Sequence, residues 1–237
     1  MYSAPSSNLY MIAIAGPSCA GKTELANALA VQLRCSILQL DSYYRDLSAI
    51  PARERAGKNF DDPAALDHEL LIQQVHALHQ GQSVERPVYD FATHTRFPQR
   101  ERFCVHRFLI LEGLYALYWP ELRKLAATKV FVQVPDTICL NRRKRRDVIE
   151  RGRNVDSVVK QFTKTVQPMA SLYLQPTREY ADLVLSGEQA LSLSVGAVLD
   201  HVQRNRETEV APEAAHGAAP GGYRDEKTCI KRARGAD

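Results

Sequence analysis

Gly16-Pro17-Ser18-Cys19-Ala20-Gly21-Lys22-Thr23 is the stretch on which the fold turns. It matches GxxxxGK(S/T), and its neighbours give it the required setting. Leu9 to Ala15 is a short apolar run, and Lys22 to Arg34 repeats Leu25, Leu29 and Leu33 at the spacing of one helix face. The order is therefore strand, glycine-rich turn, helix. Glycines at 16 and 21 let the backbone curl, so that successive N–H groups from Gly16 through Ser18, Ala20 and Gly21 to Lys22, Thr23 and Glu24 surround phosphate oxygens at a helix N-terminus. Lys22 would reach the β and γ phosphates of a nucleoside triphosphate, and the Thr23 hydroxyl would ligate Mg²⁺. The plainer alternative, a fortuitous glycine turn, fits poorly between a strand and a helix.

Outward from this loop the chain alternates strands and helices. Ser36 to Leu40, Phe108 to Leu111, Val130 to Val134 and Ala181 to Leu185 read as buried strands. A helix over Ala65 to Gln80 buries Leu71, Val75 and Leu78 and stops at Gly81. Another holds Pro120 and Glu121 in its first turn. Asp136 to Arg151 forms a basic helix, a further helical stretch runs to Tyr173, and a last helix spans Glu188 to Asn205. The pattern predicts an α/β fold, a parallel sheet with helices on both faces. Ser83 to Val105, interrupted by Pro87 and Pro98, reads as a hairpin inserted at a sheet edge. Residues 1–206 form one domain, and Glu207 to Asp237 lacks periodicity and reads as a disordered tail.

The 237 residues carry 31 Lys and Arg against 27 Asp and Glu, so bulk charge gives no case for nucleic-acid binding. That small excess is concentrated. Removing Arg142 to Arg153 leaves 24 basic and 25 acidic residues. Five scattered cysteines without a CxxC pair argue against a disulfide framework or a thiolate zinc site and suit a reducing cytoplasm. No run approaches the roughly 20 apolar residues of a membrane span, and Met1 to Asn8 lacks the regions of a signal peptide.

Two carboxylates stand at strand ends. Asp41 could take a proton from an acceptor hydroxyl, help hold Mg²⁺, or merely cap a helix. Glu112, followed by Gly113, stands either where a Walker B acid would be or as a solvent-facing strand end. Tyr89 and Phe91 could be hairpin core, and His94 a surface residue. His76 and His79 have metal-like spacing but no evident third ligand. The basic run from Arg142 to Arg153 reads as a solvated helix, a nucleic-acid patch, or a lid over phosphates.

The separate motifs share one resemblance. The phosphate loop, Asp41-Ser42-Tyr43-Tyr44-Arg45-Asp46-Leu47, Asn59-Phe60-Asp61-Asp62-Pro63, Pro87-Val88-Tyr89-Asp90-Phe91 and Thr93-His94-Thr95-Arg96 resemble, in order, the uridine kinase family of P-loop nucleoside kinases. So do Leu111-Glu112-Gly113, Arg142-Arg143, Arg146-Asp147, Arg151-Gly152-Arg153, Gln161-Phe162, Gln167-Pro168-Met169 and Tyr180-Ala181-Asp182. The resemblance implies that Asp41 is the base on a nucleoside 5′-hydroxyl and that Asp61 holds the ribose hydroxyls. It implies that Tyr44, Tyr89 and His94 flank a pyrimidine, and that Thr23, Asp41 and Glu112 serve Mg²⁺. In the basic segment, residues 142–153, it favours the lid: Arg143 and Arg153 on the transferred phosphate and acceptor, Arg146 and Arg151 on the donor phosphates, with Gln161 completing the acceptor side. The activity implied is transfer from ATP or GTP to uridine and cytidine by a cytoplasmic homo-oligomer, commonly a tetramer. Related acceptors, as in phosphoribulokinase or nicotinamide riboside kinase, are the enzymatic alternatives, and a non-catalytic nucleotide-binding regulator is the alternative of another class. The chain departs from the family at Asp62, where histidine is common, and at Ser186-Gly187-Glu188, which leaves contacts to the donor base unassigned.

Overall fold

The structure is a computed structural model that describes residues 9–55, 57–149 and 152–210. Its first strand, β1 (Tyr10–Ala15), is six consecutive buried residues, as a strand covered on both faces requires. Met11, Ala13 and Ala15 enter one core, and Tyr10, Ile12 and Ile14 enter the other. The chain continues through α1 (Lys22–Leu33), β2 (Ser36–Gln39), α2 (Ala52–Arg55), α3 (His68–His79), β3 (Val84–Asp90) and β4 (Thr95–Phe103). Next come β5 (Phe108–Glu112), α4 (Pro120–Leu125), β6 (Ala126–Gln133), α5 (Asp136–Ile149), α6 (Val155–Gln161), α7 (Gln167–Met169), β7 (Leu183–Ser186) and α8 (Leu191–Val210).

Five strands form a parallel sheet in the order β2-β5-β1-β6-β7. On one face α3 contributes Leu71, Val75 and Leu78, and α4 contributes Leu122. On the other face α1 contributes Leu25, Ala26 and Leu29, and α8 contributes Val198 and Val202. The α/β layering read from the sequence is therefore correct, and it brings the C-terminal ends of β1, β2 and β5 to one rim, where open sheets bind ligands.

The hairpin differs from expectation. β3 and β4 pair only with each other, as a separate two-stranded sheet, and do not extend the edge of the main one. Side chains hold it in place. Tyr43 donates to Gln74 Oε1 at 2.6 Å, Gln74 Nε2 donates to the Glu85 carbonyl at 2.9 Å, and Tyr89 is buried. Other boundaries move for local reasons. Pro63–Ala65 forms a separate 3-10 turn capped by Asp62, so α3 begins later, with the Asp67 carboxylate accepting the Leu70 N–H. The basic helix ends at Ile149, and Gly152, at φ 61°, turns the chain, so Arg153 lies beyond the helix and not on a face of it. Helical structure after Asn154 continues to Tyr180 with π-turns at Phe162–Val166 and Ala170–Leu174, on either side of Pro168, which lacks an N–H. The last helix runs through residues 207–210, which were read as tail; residues 211–237 lie outside the described residues. Among the described residues, Cys19, Cys35 and Cys139 are free thiols. No helix among the described residues is long and apolar enough to cross a membrane.

Candidate active site

The phosphate loop is shaped by close approach. A Cβ on Gly16 would lie 2.2 Å from the Val132 carbonyl oxygen, so only glycine lets the loop lie against β6. Gly21 meets no such crowding; it is required by its φ of 98° at the start of α1. Lys22 is buried, donates to the Pro17 carbonyl at 2.9 Å and stands 3.9 Å from Glu112 Oε1. The Thr23 hydroxyl donates to Glu112 Oε2 at 3.4 Å. Glu112 ends β5 in register with Ile14 and Gln39. Burial holds its carboxyl above the ordinary range, the Lys22 ammonium opposes this, and the Asp41 charge adds to it.

Beside the loop lies a cavity of about 570 Å³, lined by residues 19–25, Val132, Arg142, Arg146, Ser186, Gly187, Gln189, Leu191 and Ser194. Its far wall was not assigned from sequence. A Cβ on Gly187 would sit 2.0 Å from the Ala20 carbonyl oxygen, so the turn after β7 rests directly on the phosphate loop. Arg142 joins the two, donating to the carbonyls of Cys19 at 3.2 Å and Gly187 at 3.0 Å. Gln189 Nε2 donates to Ser194 Oγ at 2.7 Å. A glycine immediately after a strand was the available signal for this contact.

Asp41 lies on the 3-10 turn Leu40–Tyr43 that directly follows β2. A Cβ on Gly113 would lie 2.5 Å from the Leu40 Cβ, so this glycine admits the turn beside β5. Asp41 raises the carboxyls of both Asp61 and Glu112, which places the three acids in one electrostatic field. Asp61 is buried. Its carbonyl accepts the Tyr115 hydroxyl and its N–H donates to Asn59 Oδ1 at 3.1 Å. Desolvation pushes its carboxyl up, Arg143 pulls it down, Asp41 raises it, and Arg146 and Arg153 add smaller pulls downward. Asp62, the departure from the family pattern, accepts the Ala64 N–H at 2.8 Å as a turn cap.

Tyr44, Tyr89 and His94 do come together, with two rings the sequence had not placed. Tyr44 lies 5.4 Å from Tyr89 and 5.7 Å from Phe60, and Phe60 stacks on His94 at 4.4 Å. Phe91 packs against Tyr89 at 5.2 Å yet is half exposed, so it is not hairpin core. Arg96 fastens the hairpin to this corner, donating to the Tyr44 and Tyr43 carbonyls and to Asp67 Oδ2 at 2.8, 3.1 and 3.0 Å.

From the basic segment, Arg143 is buried and donates through Nη2 to Gln161 Oε1 at 3.3 Å. Arg153 donates to the same oxygen at 2.8 Å, and Arg146 Nη1 reaches Ser18 Oγ at 3.4 Å. Arg151 lies outside the described residues. Among the described residues no three His, Cys, Asp or Glu side chains form a metal-holding group. Thr23, Asp41 and Glu112 nevertheless suit Mg²⁺, which takes hard oxygen donors, keeps water and completes its shell on phosphates. A buried, desolvated Glu112 carboxyl is the kind of group a cation stabilises in its charged form.

Residues 11–192 match the Phosphoribulokinase / Uridine kinase family. The uridine kinase of Chloroflexus aurantiacus is 40% identical over 196 residues, covering 81% of this chain and 94% of that protein. The uridine kinase of Shewanella amazonensis is 40% identical over 182 residues, covering 74% and 86%. Among solved structures, the phosphoribulokinase of Rhodobacter spheroides superposes with a TM-score of 0.57 at 14% identity, covering 76% of this chain and 70% of its own, a likeness of fold.

Proposed function

Because the chain belongs to the Phosphoribulokinase / Uridine kinase family, we propose that it is a uridine kinase that transfers the γ-phosphoryl group of ATP or GTP to the 5′-hydroxyl of uridine and cytidine. The observation that carries this reading is the meeting of two halves at one sheet rim. Asp41 shares a field with Glu112 of the phosphate-loop side and with Asp61 of the acceptor side.

In this reading Asp61 accepts hydrogen bonds from the ribose hydroxyls, and Tyr44, Tyr89, Phe60 and His94 form a wall for a flat base. Asp41 takes the proton as the 5′ oxygen bonds to the γ phosphorus, and the bond from that phosphorus to the bridging β–γ oxygen breaks. Lys22 and the guanidiniums of Arg143, Arg146, Arg151 and Arg153 balance charge on the phosphoryl oxygens, which is where most of the rate advantage of such transfers arises. Thr23, Asp41 and Glu112 would hold Mg²⁺, which would supply further neutralisation of phosphate charge. Closure of the basic segment keeps water from the γ-phosphoryl group. The aromatic wall favours a nucleoside over a sugar phosphate. A sugar phosphate needs free cations there, and Arg96 and Arg86 are already committed to Asp67 and Glu101.

The test is nucleotide turnover across a panel of nucleosides and sugar phosphates, with Asp41→Asn alongside. Uridine and cytidine should stimulate ADP formation. Asp41→Asn should lose about 10² to 10⁴ in kcat while still binding ATP. Stimulation by another acceptor and not by these nucleosides overturns the substrate, and near-normal turnover of Asp41→Asn overturns the base. With this reading go a cytoplasmic location and a homotetramer, which light scattering of the purified chain checks.

A further inference from the structure

The arginines of the basic segment converge on a group that the phosphotransfer reading leaves without a role. Asp147 is wholly buried. Its Oδ1 accepts Arg146 Nε at 2.9 Å and lies 2.8 Å from Arg146 Nη2. Its Oδ2 accepts Arg153 Nη1 at 3.1 Å and lies 3.7 Å from Arg143 Nε, and its carbonyl accepts the Arg153 N–H at 3.0 Å. These guanidiniums point to two different places. Arg146 extends to Ser18 of the phosphate loop, while Arg143 and Arg153 meet at Gln161. All three send their charge to Asp61.

A carboxylate buried only to stabilise the fold needs one cationic partner. Here three guanidiniums share it, Arg143 buried and Arg146 and Arg153 part-exposed, so more positive charge gathers than this carboxylate alone neutralises, and an arriving anion is favoured there. Arginine side chains also lose much rotamer freedom when fixed, so a site that fixes them before binding lowers the ordering cost at the moment of reaction. We propose that Asp147 is a positioning residue: without touching either substrate, it holds Arg143, Arg146 and Arg153 in place for the phosphates before any ligand binds. The proposal rests on the phosphotransfer reading for what the arginines do, but not for how they are held.

Asp147→Asn keeps the shape of the side chain and removes its charge. The variant should lose tenfold or more in kcat, while its Kd for ATP stays within threefold or tightens, because the site gains one net positive charge. A kcat within threefold of the parent overturns the proposal, as does a Kd that weakens by the same factor as kcat falls, since that pattern marks general structural damage. Nitrogen-15 NMR of the ligand-free parent supplies a readout independent of any variant. The Arg146 Nε–H signal should be resolved and slow to exchange, and should shift on addition of ATP; a bulk-like, rapidly exchanging signal overturns the proposal even if Asp147→Asn fails to fold. A parent that turns over no nucleoside, yet shows the resolved and ATP-sensitive signal, sinks the phosphotransfer reading and leaves the positioning role supported.

Discussion

Asp61 is held at a cost that its position makes necessary. Its carboxyl is raised by burial despite nearby arginines, so the folded chain binds its proton more tightly than the unfolded chain does. Stability is therefore lost as pH rises from the ordinary carboxylate range through the raised value, and the charged form carries the penalty. Asp61→Asn removes it. That variant should melt a few degrees higher than the parent at pH 7, at about 2 to 4 °C per kcal/mol relieved, with the gain shrinking as pH falls towards about 4, while the uridine KM rises at least ~10-fold through the lost hydrogen bonds. Calorimetry against pH decides this; an Asp61→Asn that melts lower at pH 7 contradicts it. Asp147 shows where residue-level reading stops. Lys22, Thr23 and Gly21 are legible because their chemistry lies in eight contiguous positions; Arg143 and Arg146 neighbour Asp147 on one helix, but Arg153 joins them only after Gly152 turns the chain back.

At the scale of elements, Asp67 ties the start of α3 to the hairpin. Asp67 accepts the Leu70 N–H at the start of α3 through Oδ1 and the Arg96 guanidinium through Oδ2. Asp67→Ala should remove an N-cap worth about 1 kcal/mol and a charge-assisted bond of similar size. Tm should fall by about 4 to 8 °C, and the nucleoside KM should rise several-fold more than the ATP KM, because Arg96 also fixes the carbonyls of Tyr43 and Tyr44. Equal changes in both KM values count against this linkage. The same anchoring explains why the hairpin was legible as paired strands but misplaced. Pro87 and Pro98 argued correctly against a central strand, yet the contacts that seat it, through Gln74, Arg96 and Tyr89, come from side chains that have no periodic signature.

Over the whole molecule, the layers were readable because β1, Phe108 to Leu111 of β5 and Val130 to Val132 of β6 are apolar runs with helical repeats between them, and burial of both faces allows little else. The wall of the nucleotide cavity was not readable, because Gly187 meets Ala20 across 167 residues and only packing brings them together. The sheet order has a consequence for motion. The phosphate loop hangs from β1, which is hydrogen-bonded on both sides, by β5 and by β6. The rings that the proposed reading sets against the acceptor ride partly on a two-stranded sheet that shares no ladder with it. Local opening draws on the least supported parts of a fold. In hydrogen exchange, amides of Ile12 and Ala13 should exchange only through global unfolding, and those of β4 orders of magnitude faster; equal protection rules this out. Uridine should slow exchange in β4 far more than ATP does. One substrate thus meets a finished surface and the other completes its own, so the entropy of ordering falls on the nucleoside, and tolerance toward altered bases should exceed tolerance toward altered phosphates.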